Sequence, residues 1–164
     1  ALINWIPARE ISEEVYEMNL PPQGKIPDIT EALTDDQLWL KNIPGCHLEH
    51  ALKKMGDMPD LMVDLLNDFQ TNYQDILPTL EYLISHAHSQ NGNFDEETLR
   101  TLHTVKGLMG TFAFEEAEKD ATALEAAAKS GDSEQAIQHL MALTRHLGPI
   151  QQYLNEHLPQ QSNG

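Results

Sequence analysis

The sequence predicts an all-α protein, an antiparallel up-down four-helix bundle with a short additional N-terminal helix. Two observations support this prediction. From Cys46 onward, apolar residues recur at steps of three and four, which places them on one face of a helix, and no segment shows sustained strand alternation. The connections between these periodic segments are short, as is typical of helices that pack against their chain neighbours in a bundle.

The first 42 residues lack this regular pattern. Residues 1–18 begin in the middle of an apolar pattern, and we interpret them as the end of an upstream domain. Residues 19–42 contain several prolines, which remove backbone donors and disfavour helix before them, so we predict a linker. Within it, a short helix around Trp39 is expected to pack on the body of the protein.

The first two helices of the bundle region differ in length. Leu48, Leu52 and Met55 share one face of a short helix, and Gly56 follows as the residue type that commonly ends a helix. Pro78 is expected to kink the second, longer helix or to loosen one of its turns. One apolar stripe defines that second helix: Leu61, Leu65, Phe69, Tyr73, Ile76, Leu80 and Leu83.

Three further helices complete the pattern. Asp95 is positioned to cap the third, which continues through Phe112. The fourth runs from about residue 115 to residue 129 and stops at Gly131. Asp132 or Ser133 begins the fifth.

Composition excludes several classes of function. The 164 residues carry a formal net charge of -16 and show no basic stripe, so we expect no nucleic-acid partner. Cys46 is the single cysteine, which excludes a disulfide framework. None of the closely spaced histidine pairs matches a known ligand pattern, so we predict no metal site. No apolar run could span a bilayer, and we expect a cytoplasmic protein without membrane contact.

The stretch TLHTVKGLMGTF at 101–112 combines a histidine, a lysine and two glycines on one helix. At about 100° per residue, His103, Lys106, Gly107 and Gly110 gather roughly 130° from the apolar face, so we expect them to be exposed. Glycine costs about 1 kcal/mol inside a helix, which suggests that a partner backbone needs this space. Neutral imidazole is a nucleophile at cellular pH. The alternative is a surface histidine without chemistry, beside glycines of no functional consequence.

LHTVKG at 102–107 resembles the H-x-x-K-G signature of histidine-containing phosphotransfer domains, the relay modules of bacterial multistep phosphorelays. IPG at 43–45 and the following segment at 48–69 are similar to the usual entry to such a domain in hybrid sensor kinases. ALEAAAKSGD at 123–132 resembles the helix after the histidine helix and its exit turn. Ala113, in FAF, stands where the family usually has glycine.

The resemblance implies a division of the chain. Residues 1–18, whose opening ALINWIPARE resembles the final helix of a receiver domain, are expected to be the tail of an upstream receiver-like domain. A linker at 19–42 is followed by the phosphotransfer domain at 43–158 and a C-terminal tail at 159–164. This order of segments resembles the C-terminal part of a hybrid sensor histidine kinase. Such a module is expected to lie at the cytoplasmic end of a membrane-anchored kinase.

The resemblance also implies a function. His103 is expected to accept a phosphoryl group from a receiver aspartate and to pass it to a response-regulator aspartate, while Lys106 offsets the phosphoryl charge. The partners are receiver domains, which supply Mg²⁺, so this chain needs no cofactor and by itself cannot use ATP. The docking surface is expected to comprise Leu99, Arg100, Gly107 and Gly110.

Two alternatives remain open. One is a non-catalytic helical adaptor that binds a receiver or kinase domain while His103 is never phosphorylated. The other is the phosphotransfer domain of a chemotaxis-type kinase, whose histidine is phosphorylated by its own kinase domain. The receiver-like opening of the chain argues against this second alternative.

Overall fold

The structure is a computed structural model that describes residues 33–159. These residues form a 3₁₀ helix, Asp35–Asn42, and six α-helices, with no named strand among them. The all-α class predicted from the sequence is confirmed. The interpretation of residues 1–18 lies outside the described residues. The helices are α1 Leu48–Lys54, α2 Pro59–Tyr73, α3 Ile76–Ser89, α4 Glu96–Thr111, α5 Glu115–Lys129 and α6 Ser133–His157.

The core lies mainly between α3, α4, α5 and α6, with further buried side chains from α2. Helix α5 packs against both α4 and α6, and α6 also packs against α2 and α3. Each fully buried aliphatic side chain contributes about 1.5–3 kcal/mol relative to an exposed one. Side chains with almost no exposure in this core include Leu80, Ile84, Leu102, Met109, Leu124 and Leu143.

The long second helix of our prediction is divided in the structure. Helix α2 ends at Tyr73 and α3 begins at Ile76, so the helix is interrupted one turn before Pro78. A proline ring clashes with the carbonyl four residues earlier, which here belongs to Gln74. In the first turn of α3 the missing N–H of Pro78 has no helical acceptor to lose, and the proline is tolerated there.

The predicted helix caps are present. The Asp95 carboxylate accepts a hydrogen bond of 2.8 Å from the backbone N–H of Thr98 at the start of α4. Asp132 accepts one of 3.1 Å from the N–H of Gln135 at the start of α6. Helix α6 then continues as one helix through Pro149 to His157. These caps fix where α4 and α6 begin.

The turn between α4 and α5 contains an alanine in a left-handed conformation. Ala113 has a φ of 53°, and its carbonyl accepts a hydrogen bond of 2.9 Å from the N–H of His47. An L-residue pays about 1–2 kcal/mol for this conformation, whereas glycine does not. This backbone requirement explains why a glycine suits the position that Ala113 occupies.

The segment before α1 packs on the bundle, as expected for the region around Trp39. The Tyr153 hydroxyl donates a hydrogen bond of 2.6 Å to the Trp39 carbonyl, and the Trp39 ring contacts Tyr153 and His157. Leu40 is completely buried. Part of the predicted linker therefore belongs to the folded body. None of the helices within residues 33–159 has the length and apolar character needed to cross a membrane.

Candidate functional site

His103 stands at the surface of α4. Leu102, Val105 and Met109 on the same helix are buried against the core and set the rotation of α4. The His103 side chain, on another face, is 68% exposed. The exposure predicted for this imidazole from helical geometry is therefore present.

A buried carboxylate from α5 lies directly behind the imidazole. His103 Nδ1 is 2.9 Å from Oε2 of Glu125, whose side chain is only 5% exposed. Lys106 Nζ lies 2.6 Å from the other oxygen, Oε1, and Lys129 Nζ lies 3.4 Å from Oε2. One carboxylate thus has three cationic or hydrogen-bonding partners, from both α4 and α5.

The partners of Glu125 keep it ionised. Burial by itself would raise the pKa of the Glu125 carboxyl. Hydrogen bonds from Lys106 and His103, together with the charges of Lys106 and Lys129, outweigh burial and lower the pKa from 4.5 to about 2. Glu125 is therefore a carboxylate throughout the physiological pH range.

This carboxylate determines the tautomer of His103. An ionised carboxylate can only accept hydrogen bonds, so Nδ1 must carry the proton. In the neutral ring, Nε2 then holds the free lone pair. Within the described part of the chain, Nε2 has no hydrogen-bond partner. The site therefore presents a nucleophilic nitrogen on an exposed side chain.

The two glycines of α4 differ in their surroundings. Gly107 is exposed, and a Cβ built on it would meet no atom within 4 Å. Gly110 is buried beneath the side chain of Glu118, whose Oε2 would lie 2.8 Å from such a Cβ. The exposure predicted for Gly110 is wrong, because helical rotation alone does not reveal a long side chain that a neighbouring helix places across the position.

The remaining residues predicted for docking lie one turn before the histidine. Arg100 is exposed and Leu99 is half-buried. Lys106, which is expected to offset the charge of a phosphoryl group on His103, is half-buried and pairs with Glu125. The structure thus brings His103, Lys106 and Gly107 together and sets Gly110 apart.

Sequence reasoning missed Glu125 and Lys129. A signal for Glu125 was present, because at about 100° per residue it lies only about 40° from Ala121, at the edge of the inward face of its helix. A glutamate among inward-facing alanines requires a cationic or hydrogen-bonding partner. The identity of that partner depended on how α5 packs against α4, which the sequence did not specify.

A second imidazole-carboxylate pair lies elsewhere on α5. His146 Nδ1 in α6 is 2.5 Å from Oδ2 of Asp120, and the His146 side chain is 40% exposed. In contrast to Glu125, Asp120 has no lysine among the ion pairs of residues 33–159. This pair is a useful control for the site around His103.

Other sites are not supported by the residues described. No group of three histidine, cysteine or acidic side chains within residues 33–159 could hold a metal ion. Burial raises the pKa of the Cys46 thiol to about 12, so this side chain is a thiol rather than a reactive thiolate near neutral pH.

The lowered pKa of Glu125 predicts how stability changes in acid. Because the carboxyl titrates near pH 2 in the folded protein and near 4.5 otherwise, its stabilisation is complete above pH 4.5 and is lost as the pH falls toward 2. When the pH is lowered from 6 to 3, the free energy of unfolding should therefore decrease in both proteins. The decrease in Glu125→Gln, measured by urea unfolding, should be smaller than that in the wild type by at least about 1 kcal/mol. Glu116→Gln, which removes an exposed ion pair with Lys119, is the control. Equal losses in wild type and Glu125→Gln would contradict the prediction.

The fold and the site define a helical-bundle protein with an exposed imidazole at its surface, paired through Nδ1 with a buried carboxylate. The family model of the Hpt domain matches residues 64–156, more than half of the chain, and the chain belongs to this family. This match confirms the resemblance to histidine-containing phosphotransfer domains. Hpt domains carry out histidine phosphotransfer in two-component phosphorelays and interact with receiver domains. Comparison with curated proteins and with solved structures finds no significant match.

Proposed function

We propose that this chain is a phosphorelay intermediate in which His103 carries the phosphoryl group. It accepts the group from the aspartyl phosphate of one receiver domain and passes it to the aspartate of a response regulator. The observation that supports this proposal best is the bond between His103 Nδ1 and the ionised, buried carboxylate of Glu125. It leaves Nε2, on a side chain exposed to solvent, as the nitrogen with a free lone pair.

The transfer step needs no proton to move. The Nε2 lone pair of His103 attacks phosphorus, the P–O bond of the aspartyl phosphate breaks, and its electron pair returns to the aspartate carboxylate. The product is a phosphorylated imidazolium that keeps the Nδ1–H, with its positive charge facing Glu125. Transfer to the next aspartate reverses these bond changes. Lys106, one turn from His103, lies near enough to contribute positive charge to this site.

The partner surface is proposed to surround the exposed side of α4. Arg100 and Gly107 are exposed and flank His103 by about one turn on either side, and Leu99 is half-buried beside them. The absence of a side chain at Gly107 leaves room for the backbone of a receiver to approach Nε2. Gly110 contributes only indirectly, because it is buried.

The wider context is proposed from the sequence. A hybrid sensor kinase supplies the donor receiver, a separate response regulator supplies the acceptor, and the site lies in the cytoplasm. Mg²⁺ is expected in the partner receiver, and we propose no cofactor for this chain.

Incubation with a phosphorylated receiver domain tests the proposal. We expect an acid-labile, base-stable phosphoryl group on His103, and ³¹P NMR should assign it to Nε2. A non-catalytic adaptor would bind the receiver and remain unlabelled. Binding without label, or label on Nδ1, would contradict the proposed function.

A further inference from the structure

Glu125 and a phosphoryl group on His103 would need the same cations. The carboxylate already has Lys106 at 2.6 Å and Lys129 at 3.4 Å, and it shares Oε2 between Lys129 and His103. Glu125 is almost completely buried, whereas the Lys129 side chain is 59% exposed. A phosphoryl group at Nε2 would add negative charge to the ring that shares the Glu125 carboxylate with these lysines, on a side chain that is itself exposed.

We propose that Glu125 keeps the phosphoryl group on His103 readily transferable. It does so by retaining the proton on Nδ1 and by competing with the phosphoryl oxygens for Lys106 and Lys129. Glu125 is thus a positioning residue that limits the lifetime of the phosphorylated state. The inference rests on the proposed function, because it requires that His103 be phosphorylated.

The first part of the argument concerns the leaving group. When the Nε2–P bond breaks, its electron pair stays on Nε2. If Nδ1 carries its proton, the departing ring is neutral imidazole, whereas without that proton it would be an imidazole anion, a far poorer leaving group. An opposite charge next to Nδ1–H favours the protonated ring, and Glu125 provides that charge at 2.9 Å.

The second part concerns the cations. A buried carboxylate that loses its partners costs more than an exposed anion that loses them, because water can replace partners only at the surface. Lys106 and Lys129 are therefore held more strongly by Glu125 than by an exposed phosphoryl group. The carboxylate also repels the phosphoryl group directly. Both effects withhold stabilisation from the phosphoryl oxygens, whereas the attraction between Glu125 and Nδ1–H acts only on the ring.

The test is the lifetime of the phosphorylated state in Glu125→Gln. Glutamine is nearly the same size and keeps an acceptor for Nδ1–H, but it carries no charge. Wild type and variant are phosphorylated with phosphoramidate, and the signal that is missing from His103→Gln identifies the His103 phosphoryl group. Because Glu125→Gln removes the charge that favours Nδ1–H, and with it the neutral leaving group, the half-life near neutral pH should be longer in Glu125→Gln by up to about tenfold.

Asp120→Asn is the matched control. Asp120 also binds an imidazole Nδ1 from a neighbouring helix, and it also lies on α5. Its replacement should leave the half-life of the His103 phosphoryl group unchanged. An equal or shorter half-life in Glu125→Gln, or a folded Glu125→Gln that cannot be phosphorylated at all, would overturn the inference.

A second measurement is the pH dependence of phosphohistidine hydrolysis. Its rate is followed against pH in folded wild type and in folded Glu125→Gln, so that Lys106 and Lys129, whose positive charges oppose that of Glu125 at the ring, are present in both proteins. The pH at which the rate is half-maximal should be higher in the wild type, because only there does an opposite charge face Nδ1–H. A half-maximal pH that is equal or lower in the wild type would overturn the inference.

These results separate the inference from the function on which it rests. If wild-type protein accepts no phosphoryl group on His103 from a phosphorylated receiver or from phosphoramidate, the proposed function fails. If His103 is phosphorylated but the Glu125→Gln half-life and the pH midpoint do not move as stated, only the role of Glu125 fails.

Discussion

Replacing His103 with glutamine should abolish phosphoryl acceptance and leave the bundle folded. The nucleophilic Nε2 is lost, and glutamine has no nitrogen with a free lone pair to take its place. The His103 side chain is 68% exposed, so little apolar burial is lost with it. Glu125 loses one hydrogen bond but keeps both lysines, and we expect the melting temperature to stay within roughly 5 °C of wild type.

The matched control for this experiment is His146→Gln. His146 is the other imidazole whose Nδ1 binds a carboxylate of α5, and the described residues show no lysine paired with that carboxylate. His146→Gln should accept phosphate from a receiver at the wild-type rate. Label that persists in His103→Gln, or that disappears in His146→Gln, would assign the phosphoryl group to a different histidine.

Gly107→Gln should transfer phosphate far more slowly and yet be at least as stable as wild type. A Cβ at Gly107 meets no atom within 4 Å, and glutamine in an exposed helix is favoured over glycine by up to about 1 kcal/mol. The same side chain would occupy the space beside His103 that a receiver backbone must enter. Since displacing the reacting atoms by about 1 Å can cost on the order of 100-fold in rate, we expect a decrease of that size. Stopped-flow or rapid-quench transfer from a phosphorylated receiver measures it, and thermal unfolding measures stability.

Two controls separate bulk from chemistry in this prediction. Phosphoramidate is a small molecule that can reach His103 without bringing a receiver backbone close to Gly107. It should therefore phosphorylate Gly107→Gln at nearly the wild-type rate. Gly107→Ala gains as much helix stability with far less bulk, and its transfer from the receiver should be slowed much less. A Gly107→Gln protein that is destabilised, or that is slow with phosphoramidate as well, would contradict the docking account.

Gly110→Gln is expected to act differently from Gly107→Gln, because Gly110 is buried. On an isolated helix both glycines would share a face with His103, and the two substitutions would act alike. In the bundle, Glu118 lies across Gly110, so a side chain there must displace Glu118 before it can affect a partner. The difference arises from the packing of α5 on α4, which sequence periodicity does not describe.

Much of the fold could be read from local chemistry along the chain. Asp95 and Asp132 are short side chains that cap a helix start, and glycines at positions 56 and 131 take the left-handed conformation after a helix end. These signals act over three or four residues, so the sequence contains all that is needed. At Pro78 the sequence predicts a kink or a loosened turn, and the structure has a complete break between two helices one turn earlier, since a proline acts on the turn before it.

The sequence by itself determined the helical class, the limits of most helices and the position of His103, because each depends on side chains close together in the chain. The match to the Hpt domain family supports the helical class. Only the tertiary structure brought Glu125 of α5 to Nδ1 of His103, a contact between residues 22 positions apart. The tautomer of the imidazole, the low pKa of the carboxylate and the sharing of Lys106 and Lys129 follow from that contact. They depend on distances and burial between two helices, quantities that exist only once the helices have packed.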